Sequence, residues 1–333
     1  MGQRYDVGRS QAGTGTDVTM GSRGKNSQLI KSRARSLGFL DCGISRAEFL
    51  KEEAEQLKQY LAGQRHGGMQ FMENYFDKRT DPTNLIDNAK SVISVILNYY
   101  PEEVQRANTY KISKYAYGKD YHFTMKRMLK DLMQYIRDEI GEVNGRPFVD
   151  SAPVMDKVWA RKAGLGWIGK NTNLLSREHG SFIFIGELIV DMELEHDRPV
   201  KDYCGNCTRC LDACPTGALT GPYRIDASKC ISYLTIENKK DHIPNAFKGQ
   251  YNNWIFGCDI CQDVCPWNLK SYPPVPDDFK PHPDLLTLSK PEWEELSREH
   301  FREMFKHSAV KRAKYEGLRR NIEFLQEQEE KKK

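Results

Sequence analysis

Cys204-Gly-Asn-Cys207-Thr-Arg-Cys210-Leu-Asp-Ala-Cys214-Pro215 decides how this chain is read, together with Cys258-Asp-Ile-Cys261-Gln-Asp-Val-Cys265-Pro266 downstream. Cys230 stands alone between the two runs, so eight of the nine cysteines lie between positions 204 and 265. A two-residue gap lets thiolates from one tight turn reach irons of one cube. A three-residue gap followed by Pro turns the fourth thiolate towards a neighbouring cube. Eight thiolates are what two four-iron, four-sulfur clusters need. By this crossover rule one cluster takes Cys204, Cys207, Cys210 and Cys265. The other takes Cys214, Cys258, Cys261 and, to complete the count, Cys230. Zinc is the competing reading, because paired Cys-x2-Cys is also zinc spacing. A tetrahedral zinc site closes with four ligands and gains nothing from a fifth cysteine followed by Pro. Disulfides fit least, because the chain reads as cytosolic.

A length of 333 residues points to about two domains and allows a sizeable core. The net charge is only +4, but the basic residues are unevenly placed. The N-terminus is polar and Gly-rich, without the apolar run of a secretory signal. The strongest apolar run, Ser91-Val-Ile-Ser-Val-Ile-Leu97, is too short to cross a bilayer. A soluble cytoplasmic protein with no membrane partner is expected, in a compartment where thiolates stay reduced.

Residues 1–27 read as a disordered leader. Helical periodicity then runs through Ile30, Ala34 and Leu37 to a stop at Gly38. Cys42 reads as buried core. Residues 49–64 form an amphipathic helix, broken by His66-Gly67-Gly68-Met69. Residues 91–99 are a buried strand. Asp120-x-His122 precedes a helix over 126–140, and reads better as a satisfied polar pair at a helix start than as a metal site. Phe148–Val154 is a strand with Asp150 near its middle; Asp156 is the next acid. Gly164, Gly166 and Gly169, followed by Lys170, make either a cofactor cradle or a tight turn. Residues 181–190 are a second buried strand. After a Pro-rich linker, residues 285–305 are helical. Residues 306–320 then carry six Lys/Arg against one Glu on a short helix. That excess suits either a solvated face or contact with a phosphate backbone.

Several non-cysteine stretches fall in a telling order. They are Tyr115-Ala-Tyr-Gly-Lys-Asp-Tyr-His122, Val149-Asp150-Ser-Ala-Pro153 and Gly164-Leu-Gly-Trp-Ile-Gly-Lys170-Asn171. Cys230-Ile-Ser-Tyr-Leu-Thr-Ile-Glu237 follows between the cysteine runs, and the basic stretch 308–321 closes the set. Together, over residues 28–322, they resemble the epoxyqueuosine reductase family. The resemblance implies an α/β (α+β), nitroreductase-like, cobalamin-binding core at 28–195. A ferredoxin-like module with two [4Fe-4S] clusters would occupy 196–272, and a basic helical tRNA-contacting segment 273–333. The implied reaction removes the epoxide oxygen from epoxyqueuosine at the tRNA wobble position, using two electrons and two protons. Electrons would come singly from an external low-potential donor, through the clusters, to a cobalt(I) corrin.

By the same resemblance Asp150 is the general acid, and it needs a raised pKa from burial against the corrin. Ser113, Asp150, Lys170, Asn171, Leu174, Ile185, Ser232, Asp259 and Gln262 would surround the cofactor. Lys239, Lys311, Arg312, Lys314, Arg319 and Arg320 would hold the tRNA. A monomer is expected. The rival readings are a corrinoid enzyme like the reductive dehalogenases, a two-cluster electron carrier, and a zinc-stapled RNA-binding protein.

Overall fold

The computed structural model describes residues 21–270 and 276–330. The two apolar runs supply the middle of a four-stranded antiparallel sheet. Its order is β1 (Asp41–Arg46), β2 (Ser91–Asn98), β7 (Ile183–Val190), β4 (Gly145–Phe148). Both faces are covered, which is why β2 and β7 read as largely apolar stretches. On one face Ile93, Val95, Leu97, Leu188 and Val190 meet the helices α1 (Ser22–Ser36) and α4 (Tyr121–Glu139). On the other face Val92, Phe148 and Ile189 meet Trp159 of the helix α5 (Asp156–Lys162). The helices α2 (Lys51–Ala62) and α3 (Phe76–Thr80) flank that second face.

Helix α4 forms because Thr124, Met125, Met128, Leu129, Leu132, Met133 and Ile136 recur at helical spacing. Asp120 caps it by accepting the His122 N–H at 3.0 Å. Helix α1 begins at Ser22, five residues before the expected leader boundary. Ser27 is buried there and its hydroxyl accepts the Glu195 N–H. The rest of the expected leader, residues 1–20, lies outside the described residues. Cys42 is buried in the first core, as expected, and burial pushes its thiol up to about 12.

A second core joins distant parts of the chain. Ile112, on the short strand β3 (Lys111–Ile112), and Tyr110 just before it pack with Tyr251, Trp254 and Phe256, and with Trp293, Phe301, Leu318 and Ile322. Thus the C-terminal segment shares one core with residues 110–117 and 231–256. The expected helix over 285–305 is three short helices, Pro283–Thr287, Lys290–Glu294 and Arg298–Met304. Ser289 and Ser297 cap the second and third and so break the run. The expected basic helix is likewise divided: Ala309–Ala313 is a 3-10 turn, and a longer helix runs from Lys314 to Glu330. Two hairpins, β5–β6 (Trp167–Ile168, Leu174–Leu175) and β8–β9 (Leu219–Gly221, Arg224–Ile225), lead into and through the cysteine region. Among the described residues no helix is long and apolar enough to cross a membrane.

Gly43, in the middle of β1, lets α5 approach the sheet. A Cβ there would sit 2.0 Å from the Ala163 carbonyl oxygen. Gly43→Ala should therefore cost about 3 kcal/mol of unfolding free energy in a denaturant titration. An unchanged midpoint would show that the helix can give way.

Candidate functional site

The seven cysteines of the two runs and Cys230 between them form no disulfide and sort themselves into two neighbourhoods. Cys265 lies among Cys204 and Cys207, and Cys210 among Cys265 and Cys204. Cys258 faces Cys230 and Cys261, while Cys261 faces Cys230 and Cys214, with Cys210 beyond. The neighbourhoods meet because the short helices α6 (Arg209–Asp212) and α7 (Ile260–Asp263) pack together. Burial, then the mutual repulsion of thiolates, raises Cys258 and Cys261 well above the ordinary thiol range. Such a crowded set is suited to bound cations, which deprotonate coordinating thiols outright. Local donors are aimed at the sulfurs: Trp167 Nε1 donates to Cys204 Sγ at 3.4 Å, and Ser232 hydrogen-bonds to Cys230.

Asp150 sits just past β4 with φ +49°, a left-handed conformation unusual for a non-glycine residue. Its side chain is 65% exposed. Tyr121 Oη donates to its Oδ2 at 2.7 Å, and His122 Nε2 lies 3.6 Å from the same oxygen. On the far side of the imidazole, Nδ1 is 2.6 Å from Asp120 Oδ1. The Tyr121 ring stacks between Phe184 and His122, at centroid distances of 4.2 and 4.3 Å. Burial alone would depress the His122 pKa. Hydrogen bonding and charge from Asp120 and Asp150 override it and hold the pKa at about 9. The upward shift expected at Asp150 rests on burial against a corrin; within the chain itself the same contacts act the other way. Burial does favour its acid form, but His122 and Tyr121 prevail and hold the carboxyl below its ordinary value. At neutral pH the proton resides on the imidazolium.

Lys157, on α5, links this acid centre to the cysteines. Desolvation lowers its pKa, while Cys261, Asp150, Asp156 and Cys230 all act on it in opposition. Yet its side chain opens to solvent, and its ammonium donates to Thr172 O and Asn173 Oδ1, both at 3.1 Å. Asp150 and the thiols Cys230 and Cys261 therefore all lie within electrostatic reach of Lys157.

The other residues expected around a cofactor are placed as follows. Asn171 is buried and donates to the Cys261 carbonyl at 3.3 Å. Leu174 is buried in β6, and Ile185, on β7, is half-buried beside it. Ser113 donates to Asp259, which is fully buried and also accepts the Lys114 N–H at 2.9 Å. Gln262 donates to the Ser181 carbonyl at 3.0 Å. Lys170 departs from the phosphate role: its ammonium donates to the carbonyls of Gly205 at 2.7 Å and Cys207 at 3.0 Å, clamping the first cysteine turn. Its glycines belong to a tight turn rather than a cradle. A Cβ on Gly166 would lie 2.2 Å from the Leu175 carbonyl oxygen.

The expected basic set divides in two. Lys239, Lys311, Arg312 and Lys314 are exposed. Desolvation and the nearby Arg312, Lys314 and Arg320 lower the Lys239 pKa, so these cations crowd together. Arg312 grips Glu237 through two 2.9 Å bonds and lies within electrostatic reach of Asp150. Lys311 and Lys314 also line a shallow pocket of about 280 Å³ with Arg298, Arg302 and Tyr315. Arg319 and Arg320 are corrections. Arg319 donates to the Glu294 carbonyl. Arg320 donates to those of Asn238 at 2.8 Å, Lys240 at 2.7 Å and Leu234 at 3.1 Å. Both guanidiniums staple the second core instead of facing a ligand.

Two family models match the chain: "4Fe-4S double cluster binding domain" over residues 203–268, and "Epoxyqueuosine reductase QueG, DUF1730" over 79–151. An epoxyqueuosine reductase of Cellulophaga algicola is 60% identical over 306 residues, covering 92% of this chain and 100% of the relative. The chain belongs to the epoxyqueuosine reductase family. It is an oxidoreductase, with two [4Fe-4S] clusters in the matched double-cluster domain. The Escherichia coli epoxyqueuosine reductase is 42% identical over 89% of this chain and 79% of its own. Among solved structures, an epoxyqueuosine reductase with an epoxyqueuosine-modified tRNA stem loop superposes with a TM-score of 0.85 at 28% identity, covering 91% of this chain and 81% of that one. A catabolic reductive dehalogenase aligns with a TM-score of 0.50 at 18% identity over 93% of this chain and 39% of that one, a likeness of fold alone.

Sequence reading missed Tyr121, Asp156 and Glu187 at this epoxyqueuosine reductase centre, and set His122 aside. The available signal was Glu187 itself, a lone charge inside the apolar run 181–190.

Two outcomes test the placement. Arg320→Ala should lose about 2–3 kcal/mol of stability by stranding carbonyls, whereas Lys311→Ala should stay within about 0.5 kcal/mol. Equal effects in denaturant titrations would contradict the division. The His122 ring should titrate near pH 9 by NMR. Because its folded pKa is raised, the stability it adds is complete below its unfolded value of about 6.5 and is lost as pH rises through 9. A ring titrating in the ordinary range would remove the ion line.

Proposed function

We propose that this chain removes the epoxide oxygen from epoxyqueuosine at the wobble position of tRNA, with a corrin held in a recess between Asp150 and the second group of cysteines. The observation that carries this reading is the position of Lys157, on which Asp150 and the thiols Cys230 and Cys261 all act. A charged imidazole stands beside the Asp150 carboxylate on one side of it. In this reading residues 28–195 serve as a nitroreductase-like corrin-binding core, 196–272 as the electron module and 273–333 as part of the tRNA contact.

Cobalamin bound there would supply a strongly reducing, nucleophilic cobalt centre. The chain's residues do the rest. Cys204, Cys207, Cys210 and Cys265 hold the outer cluster; Cys214, Cys230, Cys258 and Cys261 hold the inner one, nearer the recess. Ser232 and Asn171 support the inner cluster from its recess side. Ser113, Lys170, Leu174, Ile185, Asp259 and Gln262 act behind that wall, through the buried contacts described above, and fix where the cofactor can lie.

Opening an epoxide leaves an alkoxide that must gain a proton. At rest His122 carries that proton and Asp150 is ionised. Filling the recess expels water, which strengthens the one influence already raising Asp150, its desolvation. The proton then passes from the imidazolium to Asp150 and on to the substrate oxygen, and a second proton, taken up by the same pair from solvent, lets that oxygen leave as water. The left-handed turn at Asp150 makes the carboxyl a discrete tooth on a short loop. A Bacillus subtilis epoxyqueuosine reductase, with a TM-score of 0.84 at 27% identity, has been seen with its catalytic Asp loop swung out of the active site. That behaviour suits a loop of this kind.

Lys239, Lys311, Arg312 and Lys314 border the centre and offer positive charge to the anticodon arm. Arg319 and Arg320 hold the surface that carries them.

Asp150→Asn should keep iron, labile sulfide and corrin yet lower kcat by about 100-fold or more. Undiminished turnover would take the acid role from Asp150. Charge reversal at Lys311, Arg312 and Lys314 should raise the apparent KM for tRNA and flatten its salt dependence, leaving reduction of the bound cofactor unchanged. Wild-type tRNA affinity in that variant would reject the contact.

A further inference from the structure

Glu187 has no business being charged where it lies. It sits in the middle of β7 with no exposed surface, opposite Ser94 of β2 and Phe148 of β4. That register points it at α5, into a layer of apolar side chains. Neither of its carboxyl oxygens has a donor, and the neighbouring Ser94 hydroxyl, also fully buried, has no partner either. The group within hydrogen-bonding reach is another carboxyl, that of Asp156 in the first turn of α5. Two carboxylates cannot bond to each other unless a proton lies between them. A lone buried carboxylate is among the costliest things a core can hold.

No cation nearby is bonded to Glu187, although Arg79 bears on its neighbour Asp156. Lys157 is bonded to Thr172 and Asn173, and Arg161 to Glu53 across the helix layer. Arg79 acts on Asp156 and Asp150 and donates to the Phe71 carbonyl at 2.8 Å. His122 is held between Asp120 and Asp150. The charges that bear on Glu187 are those of Asp156 and Asp150, both negative. Desolvation and these charges raise Glu187 well above the carboxylate range, and desolvation brings Asp156 to about 6. The other end of the pair reaches the acid loop: Asp156 Oδ1 accepts the Asp150 N–H at 3.3 Å.

We propose that Glu187 and Asp156 share one proton and act as positioning residues, fixing the Asp156 carboxyl so that it holds the Asp150 backbone in its left-handed turn. This deepens the reading of Asp150 as the acid and rests on it. With the proton present, the pair carries one negative charge and points one oxygen at the Asp150 amide. Without it, two buried anions repel, Asp156 leaves its place, and the Asp150 amide loses its acceptor. The pair therefore latches the loop while protonated and releases it as pH rises.

The sign of the linkage follows from a proton held more tightly folded than unfolded. Such a group loses folded stability as pH climbs from the unfolded carboxylate range, about 4, to the value of the buried pair. Gln at 187 is always neutral and can still donate to Asp156. In cluster-loaded protein the melting temperature of Glu187→Gln, taken relative to wild type, should therefore rise steadily with pH, and Asp156→Asn should behave alike. Parallel curves across the range would show that no proton is shared. For the positioning role, Glu187→Leu removes the partner of Asp156 while filling the core. It should stay folded but lose about tenfold in kcat, with Glu187→Gln restoring most of it. Wild-type kcat in Glu187→Leu would overturn the positioning role. The melting curves do not depend on Asp150 chemistry, so an active Asp150→Asn variant would sink the acid reading and leave the shared proton standing.

Discussion

His122 standing charged between two carboxylates is the interaction on which this centre depends. Asp120 fixes one ring nitrogen at 2.6 Å while it caps α4, so the ring is oriented by the same residue that starts the helix. The other nitrogen faces Asp150. Remove the charge, and Asp150 loses what holds it ionised against its own desolvation. The imidazolium thus keeps a transferable proton next to a carboxylate that becomes a better base only when water leaves. In the proposed reading the acid is thereby conditional on occupancy of the cofactor site, which suits a reactive reductant that must not spend its electrons on protons from solvent.

The opposite wall obeys a different constraint. Two groups of four thiols can form only if the chain returns on itself, and here Cys265 travels back to the first run while Cys214 joins the second. Packing of α6 on α7 follows from that exchange. Lys170 and Asn171, from one turn, then tie the core to both runs, through the carbonyls of Cys207 and Cys261. In the proposed reading, electron supply and proton supply are thereby registered to one another by short hydrogen bonds.

The cysteine chemistry was legible in the sequence because its spacing is local and its stoichiometry is strict. The buried strands were legible because both faces of the sheet are covered. The acid centre was less so. Asp150 and His122 are 28 positions apart, and only the sheet edge beside α4 brings them together. Composition could count the cations of residues 306–320 but could not tell an Arg that staples carbonyls, such as Arg320, from a Lys that faces solvent, such as Lys311. The Gly-rich turn stayed open between two readings for a related reason. Glycine signals close approach without saying whether the neighbour is a ligand or, as at Gly166, the chain itself. The raised pKa expected at Asp150 rested on burial against a corrin; its partners on α4, which pull the other way, could not be read from the sequence.

The most direct test of the account is an anaerobic single turnover. Cluster-loaded protein, cobalamin, a low-potential reductant and epoxyqueuosine-containing tRNA are mixed, and the tRNA is digested for nucleoside mass analysis. The account predicts conversion of the epoxyqueuosine nucleoside to queuosine, lighter by one oxygen, and only when the corrinoid is present. Epoxyqueuosine recovered intact, or queuosine formed equally well without any corrinoid, would contradict it.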